Sequence, residues 1–244
     1  MTDPILSIGQ SGLETTDERV KSLVNKMVNA ETPGFKQSDV IVRSFPLELS
    51  AAQKKLQAEK PMVEGTFYSH IKGSLVRTGG LTDFALGSDG FFIVSCPWGE
   101  GYTRDGRFTV NSQGQLVSTV GNFPLLGQSG PISVPPDAAI EVSQNGEITL
   151  NGTPVDRIRV VNFENLQNLE PVNGSIFKNP ASDLNPIEVD SPRIVQGYVE
   201  SSNANIVDQM MELIVVNRLY NMDAKIVSTR DQMMNKALDM GKMQ

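Results

Sequence analysis

Leu6, Leu13, Val20 and Met27 fall seven residues apart near the start of the chain, and Ile206, Leu213, Tyr220, Val227 and Met234 repeat that spacing near its end. A seven-residue apolar repeat lays one stripe along a helix, and the stripe needs a neighbouring helix to cover it. The pattern predicts a long amphipathic helix at each end, paired as a coiled-coil-like stalk or completed by helices of other chains. On periodicity alone, a helical bundle core inside one monomer satisfies the stripes equally well. Thr2 or Asp3 can cap the first helix and Pro4 suits its first turn. Thr32-Pro33-Gly34 stops it near Ala30, because the residue before proline is pushed out of the α region. Asn205 and Asp208 open the second helix, and neither Pro nor Gly interrupts it from Ile206 to Met240, a length of roughly 50 Å. Met210, Met211, Ile214, Val215, Val216, Leu219, Met222 and Ile226 carry its apolar surface well beyond one stripe, so it calls for more than one neighbour. Each stripe residue buried fully would contribute about 1.5–3 kcal/mol, but only once something covers it.

Between the ends the texture changes. Val40-Ile41-Val42 reads as a short extended piece, and Leu47 to Glu59 as a short helix closed by Pro61. From about residue 81 to 163, short β-rich runs alternate with turn signals. Asp105-Gly106 sits between Tyr102-Thr103 and Phe108-Thr109-Val110, and Asn145-Gly146 and Asn151-Gly152 sit between apolar runs. Asn-Gly and Asp-Gly tolerate the positive φ that tight hairpins require. Residues 164–195 read as loop, punctuated by Asn173-Gly174, Pro180, Pro186 and Pro192. The expected fold class is therefore α+β, an antiparallel β-rich centre with long terminal helices. The expected domains are a stalk (1–32 with 203–244), a connecting region (33–75 with 190–202) and the β-rich body (76–189).

Charge and chemistry narrow the function. The 244 residues carry a net charge of −7, and the short basic run Lys54-Lys55 with Lys60 reads as a solvated face, so nothing favours nucleic acid as a partner. One Cys and one His cannot form an intrachain disulfide or the usual zinc set. No apolar run is long enough for membrane insertion, and the start lacks the basic and apolar regions of a cleavable signal peptide. Asp83, Asp89, Glu100 and Asp105 are the carboxylates available for acid–base work, but Asp89 and Asp105 precede glycines in expected turns, where Asp serves local hydrogen bonding. His70 reads as a surface histidine and Cys96, before Pro97-Trp98, as an inert, modestly exposed loop thiol. Gly87-Ser88-Asp89-Gly90 lacks the Gly-Lys-Ser/Thr ending of a phosphate loop. The reading is of a protein with no catalytic residues, cofactor, metal or small-molecule substrate.

Four segments carry a family resemblance. Asn29-Ala30-Glu31-Thr32-Pro33-Gly34-Phe35-Lys36 resembles the N-terminal signature of the flagellar rod and hook axial proteins. Leu81 to Val94 is similar to the segment that opens their β-domain, and Tyr102-Thr103-Arg104-Asp105-Gly106-Arg107-Phe108 to the hairpin that follows it. Gln196-Gly197-Tyr198-Val199-Glu200-Ser201-Ser202-Asn203 resembles their C-terminal signature. Within these, Asn29, Thr32, Gly34, Phe35, Gln196, Gly197, Tyr198, Ser202 and Asn203 are the motif residues. Lys26 stands where the family usually repeats an Asn, and Val28 where it usually has Ala. The resemblance implies a structural subunit of the flagellar basal-body rod, exported by the flagellar type III apparatus and polymerising in the periplasm with copies of itself and other rod axial proteins. The nine stripe residues would then be the assembly interface. Gly127 to Pro135 is similar to proximal-rod members, whereas Asn217-Arg218-Leu219-Tyr220 and Asp231-Gln232-Met233 look more like the distal-rod type; the proximal rod is preferred, with a distal-rod or hook-like protein as the alternative. A helical-stalk adaptor without a flagellar role is the reading from a different class.

Overall fold

The computed structural model describes residues 4–47, 58–135, 138–180 and 185–241. The chain forms two compact units, one of Met1–Met27, Ser38–Ser69 and Asn205–Gln244, the other of Val28–Gln37 and His70–Ala204. Both alternate along the sequence, so neither is one continuous segment. Compared with the expected domains, residues 38–69 group with the terminal helices, and residues 70–75 and 190–202 with the β-rich body.

The helical unit holds α1 (Pro4–Val28), α2 (Ile206–Gly241) and a two-stranded antiparallel ribbon of β1 (Ser38–Leu47) and β2 (Ala58–Tyr68). Val40-Ile41-Val42 is therefore the middle of a ten-residue strand. The helix expected over 47–59 falls mostly outside the described residues, and its flanks, Leu47 and Ala58-Glu59, are strand. The ribbon is tied to α1 at several heights. Ser22 Oγ donates to the Ser38 carbonyl at 2.7 Å, Lys26 Nζ meets Asp39 at 2.6 Å, and Ser11 Oγ donates to the Pro61 carbonyl. Lys26, the departure from the family's usual Asn, is thus a buried cation with a defined partner.

The β-rich unit is antiparallel in every described ladder. Its largest sheet has six strands, in the order 170–173, 176–178, 99–103, 91–96, 160–162 and 187–188. Residues 164–195, expected as loop, supply three of its edge strands or their neighbours, because Ile176-Phe177 bury against the sheet while Glu170-Pro171-Val172-Asn173 stays exposed at its rim. The core gathers Phe84, Phe92, Phe108, Leu116, Leu125 and Ile148, each at most 2% exposed. Asn151 and Gly152 take φ of 50° and 80°, the left-handed pair that the Asn-Gly signal promised for the 147–150/153–157 hairpin. Asp105-Gly106 behaves otherwise. Residues 99–103 belong to the large sheet and 108–110 pair with 116–118, so the dipeptide carries the chain from one sheet to another. Gly106 is required there: a Cβ would lie 1.5 Å from the Phe84 carbonyl oxygen.

Candidate functional site

Three of the four resembling segments meet inside the β-rich unit, around a buried ion triad. Lys36 Nζ lies 2.6 Å from Glu200 Oε1, and Arg104 Nη1 lies 3.4 Å from Glu200 Oε2. Lys36, Arg104 and Glu200 are 3%, 4% and 1% exposed. Charges this deep are tolerated only when paired; Glu200 Oε1 is hydrogen-bonded as well, whereas Oε2 is buried with no hydrogen bond and has only the Arg104 ion-pair contact. Lys36 Nζ also donates to the Ile71 carbonyl at 2.8 Å, the Gly73 N–H donates to Glu200 Oε1 at 3.0 Å, and both terminal nitrogens of Arg104 donate to the Ser88 carbonyl at 3.1 Å. The guanidinium stands 5.9 Å from the centre of the Phe91 ring. Burial holds the Lys36 and Arg104 pKa values below their ordinary ones, against the pull of Glu200.

The motif residues build the frame around this triad. Gly34, at φ +70°, lets the backbone pass where a Cβ would lie 2.2 Å from the Asp105 nitrogen, and its N–H donates to the Glu200 carbonyl at 2.8 Å. Phe35 is buried, and Asn29 and Thr32 close the turn before it, Thr32 N–H donating to the Asn29 carbonyl at 3.1 Å. Asn203 accepts from the Gln37 N–H at 2.8 Å and donates to the Ile71 carbonyl at 3.1 Å. The Ser202 hydroxyl accepts from the Ala204 N–H. Gln196 donates to the Leu81 and Ile140 carbonyls and accepts from the Val142 N–H, joining three segments. Gly197, at φ +78°, turns the chain into residues 198–200, where Tyr198 pairs with Arg77. Segments 28–37 and 196–204 thus leave the β-rich unit tied side by side. Lys36, Arg104 and Glu200 were not singled out in the sequence. The available signal was weak: Glu200 is the lone charged residue of its motif, but Lys36 shares its motif with Glu31, and Arg104 shares its own with Asp105 and Arg107.

Two single-residue expectations are corrected. His70 is half-buried, its ring 5.5 Å from that of Phe177 and 6.1 Å from that of Phe91. Burial, then the Lys36 and Arg104 charges, push its pKa down to about 4. Cys96 is buried at a strand end, and burial raises its thiol to about 11. Asp105 is fully buried and held by both oxygens to Arg107, at 3.1 and 2.9 Å. Among the described residues no group of three His, Cys, Asp or Glu is placed to hold a metal ion, and no helix is long and apolar enough to cross a membrane.

The stripe residues divide unequally. Leu6, Leu13, Val20 and Met27 are half-buried, and the fully covered positions of α1 are instead Gly9, Ser11, Thr15, Thr16, Leu23 and Lys26. On α2, Leu213 and Val227 are half-buried while Ile206, Tyr220 and Met234 are exposed; the best-covered positions are Gln209 and Val216. The helices approach through glycine: a Cβ on Gly9 would lie 2.7 Å from Val227 Cγ2, and one on Gly12 3.0 Å from Asp223 Oδ2. This pairing of 9 with 227 and 12 with 223 is antiparallel. A second register remains uncovered. Val215, Leu219, Met222, Ile226 and Met233 follow a four–three spacing with Thr229; Leu219, Ile226 and Met233 come one residue before Tyr220, Val227 and Met234 of the inner stripe, and Val215 and Met222 one before Val216 and Asp223. They therefore lie about 100° further round the helix. All five are at least 40% exposed.

A β-rich unit closed by its own flanking segments, and a helical unit that leaves a long apolar helix face exposed, define an architectural subunit without a catalytic constellation among the described residues. The comparisons agree. Residues 195–240 match the family described as "Flagellar basal body rod FlgEFG protein C-terminal", and residues 85–150 "Flagellar hook protein FlgE/F/G D1 domain". The chain is 30% identical to the flagellar basal-body rod protein FlgG of Buchnera aphidicola subsp. Baizongia pistaciae over 96% of its own length and 98% of that protein's. It is 31% identical to the flagellar basal-body rod protein FlgF of Caulobacter vibrioides over 97% of both chains, and 30% identical to FlgF of Mesorhizobium japonicum over 91% of both. The chain belongs to the flagellar basal-body rod protein family, and is a structural, non-enzymatic rod subunit. Membership implies assembly with other rod and axial proteins and agrees with a basal-body location.

Proposed function

We propose that this subunit polymerises through its terminal helices into the axial drive shaft, and that the outer register of α2 is the surface that receives the neighbouring copy. The observation that carries this reading is the exposed Val215/Leu219/Met222/Ile226/Met233 row. It repeats the spacing of a helix-pairing seam, yet in one chain it stays largely exposed, with only Leu219 and Ile226 bordering the cleft against α1. Burying these five side chains would contribute about 1.5–3 kcal/mol each before the costs of ordering. The nine stripe residues, from Leu6 to Met234, make up the inner part of the same interface, closed in a coiled-coil-like manner once neighbours are present. Assembly is head-to-tail, since a heterologous contact that does not close on itself generates a helical filament. Access to the periplasm is by the flagellar type III apparatus, and the position is in the proximal rod, which the likeness of Gly127 to Pro135 to proximal-rod members supports.

The test uses Ile226→Asp, because Ile226 is 50% exposed, at the border of the cleft it lines with Ile8, Gly12 and Thr15 of α1, and lies outside the β-rich unit. The variant is expected to keep the circular dichroism and unfolding midpoint of the β-rich unit and to lose polymerisation, read by sedimentation. Leu213→Asp, on the inner stripe, is expected to do the same. Filaments of normal length from Ile226→Asp would overturn the outer register as the contact between copies.

A further inference from the structure

We propose that Met222 and Met233 form an oxidation site through which hydrogen peroxide, or another peroxide-class oxidant, blocks copy-to-copy docking. This rests on the reading of the outer α2 register as the contact between copies. Met222 is 61% and Met233 66% exposed; Met211 and Met240 on the same helix are as exposed, at 64% and 67%, but lie outside the row from Val215 to Met233. Met222 and Met233 lie eleven residues apart, about three helical turns, and so on one face. They stand at the two ends of an apolar groove of about 460 Å3 lined also by Lys225, Ile226, Thr229 and Arg230. An exposed thioether is open to oxidant, and the same thioether buried between two helices is not. The site is therefore reactive in the free subunit and shielded in the polymer.

The step balances without any group from the protein. A sulfur lone pair attacks one peroxide oxygen and an S–O bond forms as the O–O bond breaks. The departing hydroxide takes the proton left on the transferred oxygen, giving methionine sulfoxide and one water. Sulfur is oxidised by two electrons and the peroxide reduced by two. The product replaces an apolar, flexible contact with a polar and chiral one. Two such groups facing an apolar seam oppose docking twice over, and reduction by a methionine sulfoxide reductase restores the thioethers.

The experiment treats the full-length chain, before assembly, with dilute hydrogen peroxide. It maps sulfoxides by peptide mass spectrometry (about 16 Da per oxygen) and follows polymerisation by sedimentation. Sulfoxides at Met222 and Met233 are expected to slow polymerisation about tenfold or more, since each residue's burial is worth at least that factor. The double variant Met222→Leu/Met233→Leu, close in volume, is expected to polymerise like the parent and to lose most of its sensitivity to the same treatment, the remainder coming from Met234 in the inner stripe, 45% exposed. Preformed polymer is expected to resist modification at both positions. Unchanged polymerisation with both sulfoxides in place overturns the switch, as does a Leu double variant that stays equally sensitive. If either occurs while Ile226→Asp fails to polymerise, the switch alone falls. If Ile226→Asp polymerises normally, the seam reading falls and the switch with it.

Discussion

Glu200 faces two buried cations, and the consequence is asymmetric. Removing one member of a buried ion pair leaves the other without compensation, at a cost of about 3–5 kcal/mol. Glu200→Gln and Lys36→Met are each expected to destabilise the β-rich unit by that order, measured by denaturant unfolding followed at the single tryptophan, Trp98. An unchanged midpoint in both would mean that the triad does not stabilise the β-rich unit. His70 adds a pH dependence with a definite sign. Its folded pKa of about 4 lies below its ordinary 6.5. Between those values the unfolded chain binds a proton that the folded chain does not. Stability from this residue is therefore complete above about pH 6.5 and is lost as pH falls towards 4. His70→Phe is expected to remove that component, read as a flatter acid limb of unfolding midpoint against pH. An identical limb in both proteins would assign the acid sensitivity to carboxylates instead.

Glycines decide how elements approach. Gly106 allows residues 103–108 to pass from one sheet to another, and a methyl there meets the Phe84 backbone oxygen rather than a movable side chain. Gly106→Ala is expected to destabilise the β-rich unit by about 3 kcal/mol or more, read as loss of its cooperative unfolding transition at ordinary temperature. Gly9 is a milder case, because a methyl there meets the end of the Val227 side chain. These positions also mark what periodicity can say about a helix. The seven-residue rows located both helices to within a few residues, with α2 opening where Asn205 accepts from the Val207 N–H at 3.0 Å. They did not locate the covered faces. Much of the buried face of α1 is small and polar, Gly9, Ser11, Thr15 and Thr16, because the ribbon and α2 come close enough to need small residues; Ser11 donates to the ribbon carbonyl of Pro61, while Thr15 and Thr16 donate back to the Ser11 and Gly12 carbonyls of α1 itself.

At the scale of the whole molecule, a helix that leaves much of an apolar circumference exposed in one chain depends on neighbours for its stability. Hydrogen exchange across residues 206–240 is expected to be fast in the free subunit and slow in the polymer, while residues 84–163 exchange slowly in both. Slow exchange over 206–240 in a stable monomer would favour the stalk adaptor. Met222 and Met233 fall under the same dependence, since what shields them is also what orders the helix.

The sequence alone determined the two terminal helices, the β-rich centre and the family. Helix period, hairpin dipeptides and helix stops are local properties, and the four motifs stand in order along most of the chain. Only the tertiary structure decided how 28–37 and 196–204 close the β-rich unit, because Lys36, Arg104 and Glu200 are distant in sequence and a buried charge is recognisable only with its partners present. It likewise decided that residues 164–195 complete a sheet, since strands so short are fixed by the ladder they join rather than by their own propensity. And it decided which apolar positions of α2 are covered, Val216 fully and Leu213 and Val227 in part, and which are left exposed, a distinction that a list of hydrophobic residues does not contain.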